Sequence, residues 1–182
     1  MRGTVDLTEL GAWLVQPCIV DTLRIETLDG YLSAGDEPHY SRWRAGLPVA
    51  PDEKWQSWLN RIRDDTAAGI IRRRVHVVSE PLTEHNLFEL GQQYTHNAAA
   101  GERIRVLTAP AEARARMADF YVLDMHRVAV MDYDHTGKFT SAHRPDDPAP
   151  WINLAWALWE AAETFAHWWA DRPHYHDQRQ AV

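Results

Sequence analysis

The chain has 182 residues, of which 45% are hydrophobic and 25% charged, a composition typical of one soluble globular domain. Its formal net charge of −7 argues against a general nucleic-acid binder, which needs a basic surface to displace counterions from phosphate. Its one cysteine, Cys18, excludes a disulfide framework and a cysteine-rich zinc site. The N-terminus lacks a secretory pattern and no eighteen apolar residues run together, so the sequence predicts a cytoplasmic protein without a membrane span.

Helices and strands are predicted to alternate along most of the chain. Leu23 and Ile25 alternate with charged neighbours, as in a half-buried strand. Pro51 precedes two acids, which favours the start of a helix, and Thr83 is placed to cap another. The predicted order is helix 6–16, strand 21–31, a helix from residue 51, strand 70–78, a helix from residue 83, strand 103–107, two or three antiparallel strands in 118–144, and a terminal helix 147–170. This order predicts an α/β or α+β fold, with helices covering a mixed sheet.

The terminal helix is predicted to be amphipathic, with an apolar arc that covers more than half of its circumference. Asn153, Glu160 and Glu163 argue against a membrane span, and the polar face carries no lysine or arginine for an anionic membrane surface. Residues 1–146 are expected to form the α/β domain, and residues 147–182 to pack on it or on a partner. A stacking pocket for a planar ligand is a further alternative. The candidate interface residues are Trp151, Trp156, Trp159, Phe165 and Trp169.

Charged residues of the predicted sheet suggest a ligand site. Arg72, Arg74 and His76 are expected to share one strand face. That face is either a solvated basic surface balanced by carboxylates or part of a cleft for an anionic or zwitterionic ligand, since guanidinium suits carboxylate and phosphate. The candidate ligand-binding residues are Arg74, Glu80, Glu89 and Arg105.

No motif in the sequence specifies a reaction. The Gly-x-Ser-x-Gly elbow, the phosphate loop and the Gly-x-Gly-x-x-Gly turn are all absent, and no cofactor is predicted. A catalytic alternative would use His85, Glu89 or Asp124 as acid or base beside an aromatic pocket. The run His174-Tyr175-His176-Asp177 could chelate a metal with His167, but chain ends usually fray, so no metal site is predicted.

Three segments, RRRVHVVSEPLTEHNLFE, GERIRVL and DFYVLDMHRVAVMDYDHTGKF, occur in this order. Together they resemble an uncharacterised actinobacterial domain family, over roughly Leu23 to Ser141. Members of that family often lie beside genes for helix-turn-helix regulators and small acidic proteins, which implies a protein partner of that kind. The family pattern usually has an aromatic at His85 and an arginine at Leu87, so the resemblance implies a changed ligand or partner if those positions matter.

At the level of the fold, the strands around residues 103–133 are also similar to those of the phospholipase D superfamily. Its signature is His-x-Lys, four residues, then Asp. If Asp124 takes the final position, Met117 and Asp119 stand where the histidine and lysine belong, so the resemblance implies the sheet without the phosphodiesterase. Non-catalytic relatives serve as partner domains of regulators. We therefore expect a non-enzymatic binding or regulatory-accessory domain that acts with a protein partner, with itself or with a small anionic ligand.

Overall fold

The computed structural model describes residues 4–14, 19–31 and 37–176. They form one eight-stranded mixed sheet with helices on both faces, which confirms the predicted α/β class. The spatial order is β1-β7-β6-β5-β2-β3-β4-β8, in which β2, β3 and β4 are parallel and the other neighbouring pairs are antiparallel. The strands are β1 (Thr4–Val5), β2 (Asp21–Glu26), β3 (Ile71–Val78), β4 (Arg103–Thr108), β5 (Asp119–Leu123), β6 (Arg127–Tyr133), β7 (Phe139–His143) and β8 (Glu163–Thr164).

The helix predicted from residue 83 is capped by Thr83 as expected, and the helix predicted from residue 51 begins at Glu53 with Asp52 as its cap. Asp52 accepts a hydrogen bond from the backbone N–H of Trp55 (2.9 Å), and Thr83 accepts one from that of Asn86 (3.2 Å). None of the helices in the described ranges has the length and apolar character needed to cross a bilayer. They are α1 (Leu7–Leu14), α2 (Glu37–Arg44), α3 (Glu53–Ala67), α4 (Glu84–Phe88), a π-helix (Glu89–Tyr94), α5 (Thr95–Ala100), α6 (Ala111–Arg114), α7 (Ala149–Ala161), α8 (Phe165–Ala170) and a 3-10 turn (Pro173–Tyr175). The predicted end of the first helix, near Pro17, lies outside the described residues.

The apolar face of the central strands packs against α7. Leu23 and Ile25 of β2 lie beside Arg73 and Val75 of β3, and the apolar side chains among them are fully buried. Residues at matching register share a face of a sheet, so these side chains meet the buried positions of α7, including Trp159. The alternation read from the sequence therefore identifies this half of the core correctly.

The charged face of the same strands is buried as well, so the expectation of a solvated basic surface is wrong. Arg72 is 8% exposed, Arg74 6% and His76 0%, and Glu26 of β2 is fully buried beside them. The side chains that cover this face come from α3, the π-helix and α5. Strands buried on both faces need no apolar alternation, but any charge that they carry must find a partner.

The predicted terminal helix is two helices, because the chain crosses the edge of the sheet between them. Ala162 has an extended backbone (φ −81°, ψ 144°), and the next two residues form β8 beside Arg105 and Val106 of β4. Helix α7 covers one face of the sheet, whereas Trp168 of α8 is buried on the other. The apolar arc is therefore wide because this segment supplies core residues to both faces.

Two glycines with positive φ allow a steric test of the packing between α3 and α5. Gly101 (φ 118°) ends α5, and a Cβ added there would lie 2.3 Å from Oγ1 of Thr66, whereas a Cβ on Gly69 (φ 81°) would meet open space. We expect Gly69→Ala to lower the free energy of unfolding by about 1 kcal/mol, through backbone strain alone. Gly101→Ala should lower the free energy of unfolding by about 1 to 3 kcal/mol more than Gly69→Ala does, because its methyl group would overlap the side chain of Thr66. Urea denaturation of both variants measures this, and equal losses would contradict the close approach of the two helices.

The division at residue 146 can be tested by ending the chain there. Such a chain loses Trp159, Phe165 and Trp168, which are buried in the two main core clusters. We expect it to lose cooperative unfolding and to aggregate, because both faces of the sheet are then exposed. A chain that ends after His176 keeps this packing and serves as the control. A soluble, cooperatively folded chain of residues 1–146 would show that the terminal segment is not part of the core.

Candidate functional site

A cluster of ionised side chains lies at the centre of the buried charged face. We call it the ion-pair network and define it by Arg24, Glu26, Arg74 and Glu102. Arg74 donates from Nη1 to Oε2 of Glu26 (2.7 Å) and from Nε to Oε1 of Glu102 (2.9 Å), and Arg24 contacts Oε1 of Glu26 (2.7 Å). Two arginines therefore face two carboxylates, and the network joins β2 and β3 to the residue that precedes β4.

The network fixes the charge of Glu26. Burial alone would raise the pKa of this carboxyl, but Arg24 and Arg74 together lower it to about 2. The carboxylate is therefore ionised at neutral pH, with its oxygens held by two guanidinium groups and by the hydroxyl of Tyr94 (2.6 Å). A base in this state has no lone pair directed at a substrate, so Glu26 is a poor candidate for proton transfer.

His76 lies beside the network, next to two residues of the π-helix. Its Nδ1 is 2.8 Å from the hydroxyl of Tyr94 and 3.6 Å from Oε2 of Glu89, and its Nε2 is 3.2 Å from the carbonyl of Leu28. Burial lowers the pKa of His76 to about 4, although Glu26 acts in the opposite direction. The ring is therefore neutral near pH 7. Because π-helical turns often occur at functional sites, this one marks the cluster as a candidate site.

Glu26, His76 and Glu89 have the composition of a metal site, but their surroundings disfavour a dication. Their ligand atoms lie within 4.8 Å of one another. The hydroxyl of Tyr94 stands between Glu26 and His76, and the guanidinium of Arg74 lies against Glu26. A second cation there would face positive charge at close range. We therefore assign these residues a structural role.

The expectation that the tail histidines bind no metal stays a prediction, because one of them, His167, has its ligand atom within 4.8 Å of those of Glu163 and Asp171. His176 stacks on Trp169 and lies 2.9 Å from its carbonyl, through Nε2. His167 lies instead 3.8 Å from Glu163 and 3.6 Å from Asp171, on an exposed surface. Asp177, the last residue of the predicted run, lies outside the described residues.

The four predicted ligand-binding residues do not form one cleft. Arg74 belongs to the ion-pair network, and Glu89 lies close to it beside His76. Arg105 of β4 is opposite Val75 of β3, so its side chain is on the other face of the sheet from Arg74. Glu80 accepts hydrogen bonds from Arg172 (3.0 Å) and from the hydroxyl of Tyr175 (3.2 Å), near the end of the described chain.

The residues of the catalytic alternative are also separated. Asp124 forms the turn between β5 and β6, where it accepts hydrogen bonds from the backbone N–H groups of Val20 (2.8 Å) and Asp21 (3.0 Å). Although partial burial opposes the change, these bonds lower the pKa of Asp124. The turn lies at the start of β2, whereas Glu89 and His76 lie near its end. His85 packs against the ring of Tyr40 (5.2 Å between centroids).

Asp119, which takes the lysine position of the phospholipase D signature, is an acceptor of hydrogen bonds. It accepts them from the hydroxyl of Tyr31 (2.5 Å) and from the backbone N–H of Thr27 (2.8 Å). Burial raises the pKa of this carboxyl, but hydrogen bonds from Tyr31 and Thr27 act against the rise. Nothing in this arrangement resembles a phosphate-neutralising lysine.

An open cleft lies on the other face of the sheet, where α7 ends beside β4. Its volume is about 460 Å³. We call it the Arg–Trp cleft, after its main lining residues. They are Arg73, Arg103, Ile104, Arg105, Trp156, Trp159 and Thr164.

Two of the three arginines of the cleft, Arg73 and Arg105, are held in place by tryptophans. The guanidinium carbon of Arg73 is 5.1 Å from the ring centroid of Trp156, and that of Arg105 is 4.4 Å from Trp159. Arg105 also donates from Nη1 to the carbonyl of Trp159 (2.5 Å), near the C-terminus of α7, where the helix dipole favours a cation. These contacts restrict the guanidinium groups before any ligand arrives.

The cleft concentrates positive charge in a protein of negative net charge. Arg73 and Arg103 are direct cross-strand neighbours, and Arg105 shares their face two residues further along β4. Like charges placed opposite each other destabilise a sheet. Asp21 forms an ion pair with Arg73, and no other carboxylate among the described residues forms an ion pair with the three arginines. An anion bound there would offset this repulsion.

Sequence reasoning missed Arg73 and Arg103. Arg73 is opposite the buried Leu23 of β2 and packs on Trp156, in the row that includes Ile71 and Val75. An arginine in an apolar row is the signal that could have identified it. The prediction used Arg72 and Arg74 instead, because these two arginines form a charged row with His76 in the sequence. The pairing of Arg73 with Arg103 follows only from the strand register.

The five predicted interface residues all contact other parts of the same chain. Trp151 packs edge-on against Phe120 (5.0 Å between centroids), and Trp169 lies over Gly91. Phe165 is buried in the core, and the remaining two line the Arg–Trp cleft. A protein interface that uses them stays a prediction.

The buried histidine predicts a specific pH dependence of stability. Its pKa is about 4 in the folded protein and about 6.5 when unfolded, so the unfolded state binds the proton more tightly. Stability should be complete above pH 6.5 and fall by up to about 3 kcal/mol as the pH drops to 4. Urea denaturation between these pH values should show a smaller decline for His76→Gln than for the original chain. His126→Gln, in an exposed turn, should keep the full decline, and equal slopes in all three proteins would contradict a buried neutral His76.

Comparison with known proteins identifies a family but not an activity. No curated protein and no solved structure matches the chain, so a phospholipase-D-like topology stays a prediction. A family model described as "Domain of unknown function (DUF6879)" matches residues 12–170, which include both the ion-pair network and the Arg–Trp cleft. The chain therefore belongs to this family of uncharacterised domains.

Proposed function

We propose that this chain is a non-enzymatic binding domain that holds an anionic ligand in the Arg–Trp cleft. The observation that carries the proposal is the presence of three guanidinium groups on one face of β3 and β4, next to two tryptophans. Guanidinium groups bind carboxylate and phosphate with paired hydrogen bonds, and those held by aromatic faces lose little entropy on binding.

The chemistry of the cleft favours binding over catalysis. Its lining residues are arginine, tryptophan, isoleucine and threonine, without a histidine, carboxylate, lysine or cysteine. A general acid or base must lie within hydrogen-bond reach of the proton that it moves. The histidine and carboxylates of the ion-pair network are on the opposite face of the sheet and pair with one another. The same separation speaks against the enzymatic alternative that uses His85, Glu89 or Asp124.

A binding domain of this kind would act with a protein partner or with a second copy of itself. The family resemblance implies a helix-turn-helix regulator as the partner, in an actinobacterial cytoplasm. The net charge of −7 supports contact with such a protein rather than with its DNA. Binding of a ligand in the Arg–Trp cleft would then change how this domain contacts its partner.

Titration with citrate, followed by tryptophan fluorescence, tests the proposal. Citrate carries several carboxylates, and Trp156 and Trp159 lie against the guanidinium groups that would bind it. We expect a saturable change at constant ionic strength that Arg103→Gln weakens at least tenfold, about 1.4 kcal/mol of binding free energy. Arg116→Gln removes an exposed arginine outside the cleft and should leave the titration unchanged. The same loss in both variants would mean that only general charge matters, and no saturable change would reject the binding site.

A further inference from the structure

We infer that the anionic group is the dianion of a phosphate monoester on a small molecule, bound between Arg73, Arg103 and Arg105. This inference rests on the binding function proposed above and adds the chemical class of the ligand. It depends on the charge of the cleft, on its hydrogen-bond donors and on its size.

The charge of the cleft matches a dianion. Three guanidinium groups contribute three positive charges, and Asp21, which pairs with Arg73, cancels one of them. When only the ion pairs of the described residues are counted, three positive charges minus one leave two. A phosphate monoester carries about 1.5 to 2 negative charges near pH 7, whereas a single carboxylate carries one.

The donors of the cleft outnumber what one carboxylate can use. Each guanidinium has five N–H groups in a planar fork. Within the described residues, Arg73 uses only Nη1 toward Asp21, and Arg105 uses only Nη1 toward the carbonyls of Trp159 and Ala162. Both keep Nε and Nη2 for a ligand. A phosphate group has three terminal oxygens that accept from different directions, so it can reach arginines on two strands at once.

The cleft is large enough to admit a small organic phosphate. Its volume of about 460 Å³ falls inside the range of roughly 300 to 1,000 Å³ that such sites occupy. The edges of Trp156 and Trp159 provide an apolar wall for the organic part of the ester. A nucleic-acid polymer would have to approach a protein of net charge −7, which is unfavourable beyond the cleft itself.

Three probes that share one ring separate the anion classes: phenyl phosphate, phthalate and benzoate. Isothermal titration of the full chain at pH 7.5 and constant ionic strength gives their affinities. We expect phenyl phosphate to bind at least tenfold more tightly than phthalate, and benzoate to bind most weakly. Arg103→Gln should weaken phenyl phosphate at least tenfold, and Arg116→Gln should not change it. Near-UV circular dichroism of both variants shows whether each has kept its fold.

A second measurement identifies the charge state of the bound phosphate. The second pKa of a phosphate monoester is about 6, so the dianion falls from nearly all of the ligand at pH 7.5 to about a quarter at pH 5.5. Arginine stays charged over this range. The affinity for phenyl phosphate should therefore fall about fourfold between these pH values, whereas the affinity for benzoate, which stays ionised, should not fall in parallel.

The outcomes distinguish this inference from the function on which it rests. The phosphate inference would be overturned if phthalate bound as tightly as phenyl phosphate. It would also be overturned if Arg103→Gln left the affinity for phenyl phosphate unchanged. In the first case the anion-binding function would stand, with dicarboxylates as its ligands. Failure of all three probes, together with failure of citrate, would overturn both.

Discussion

The fold depends on the placement of charged side chains between two layers of structure. Arg74 lies on a strand that is covered on both faces, and its guanidinium bridges Glu26 and Glu102. Removing Arg74 alone would leave Glu102 buried without its arginine and Glu26 paired with Arg24 alone, and breaking a buried ion pair in this way typically costs about 3 to 5 kcal/mol. Replacing the whole network with apolar residues of similar volume is often neutral, so its contribution lies in specificity more than in stability. It links β2 to β3 diagonally, because Arg74 is opposite Arg24 in the register and donates to Glu26, two residues further along β2.

The same constraint explains where the open cleft lies. Alternate residues of β3 face opposite sides, so the strand that directs Arg74 into the network directs Arg73 toward α7. Helix α7 ends at Ala161, and β8 then pairs with β4 at only two residues, Arg105 and Val106. The segment thus leaves part of the arginine face uncovered at the sheet edge, and the cleft forms there. The proposed anion site is therefore a consequence of how the chain crosses that edge.

Much of the fold could be predicted from local signals. The caps at Asp52 and Thr83, the alternation around Ile25, and the antiparallel strands of residues 118–144 all depend on neighbours in the sequence. The break at Ala162 could not be predicted, because the helix-forming pattern continues through it. It exists because β4 offers an unpaired edge to the chain, which is tertiary information. Burial of the charged row was missed for a similar reason, since the partners of Arg74 lie 28 and 48 residues away.

The candidate site was predicted only in part, and the reason bears on function. The sequence shows arginines and carboxylates close together, and it does not show which of them meet. The sheet sorts them: residues that could transfer protons are paired on one face, and arginines with one carboxylate partner lie on the other. In a chain of net charge −7, the second face concentrates three arginines, and under the proposed function it would attract small anions while the negative net charge opposes large ones. Under that proposal, the contrast in charge favours small ligands over polyanions.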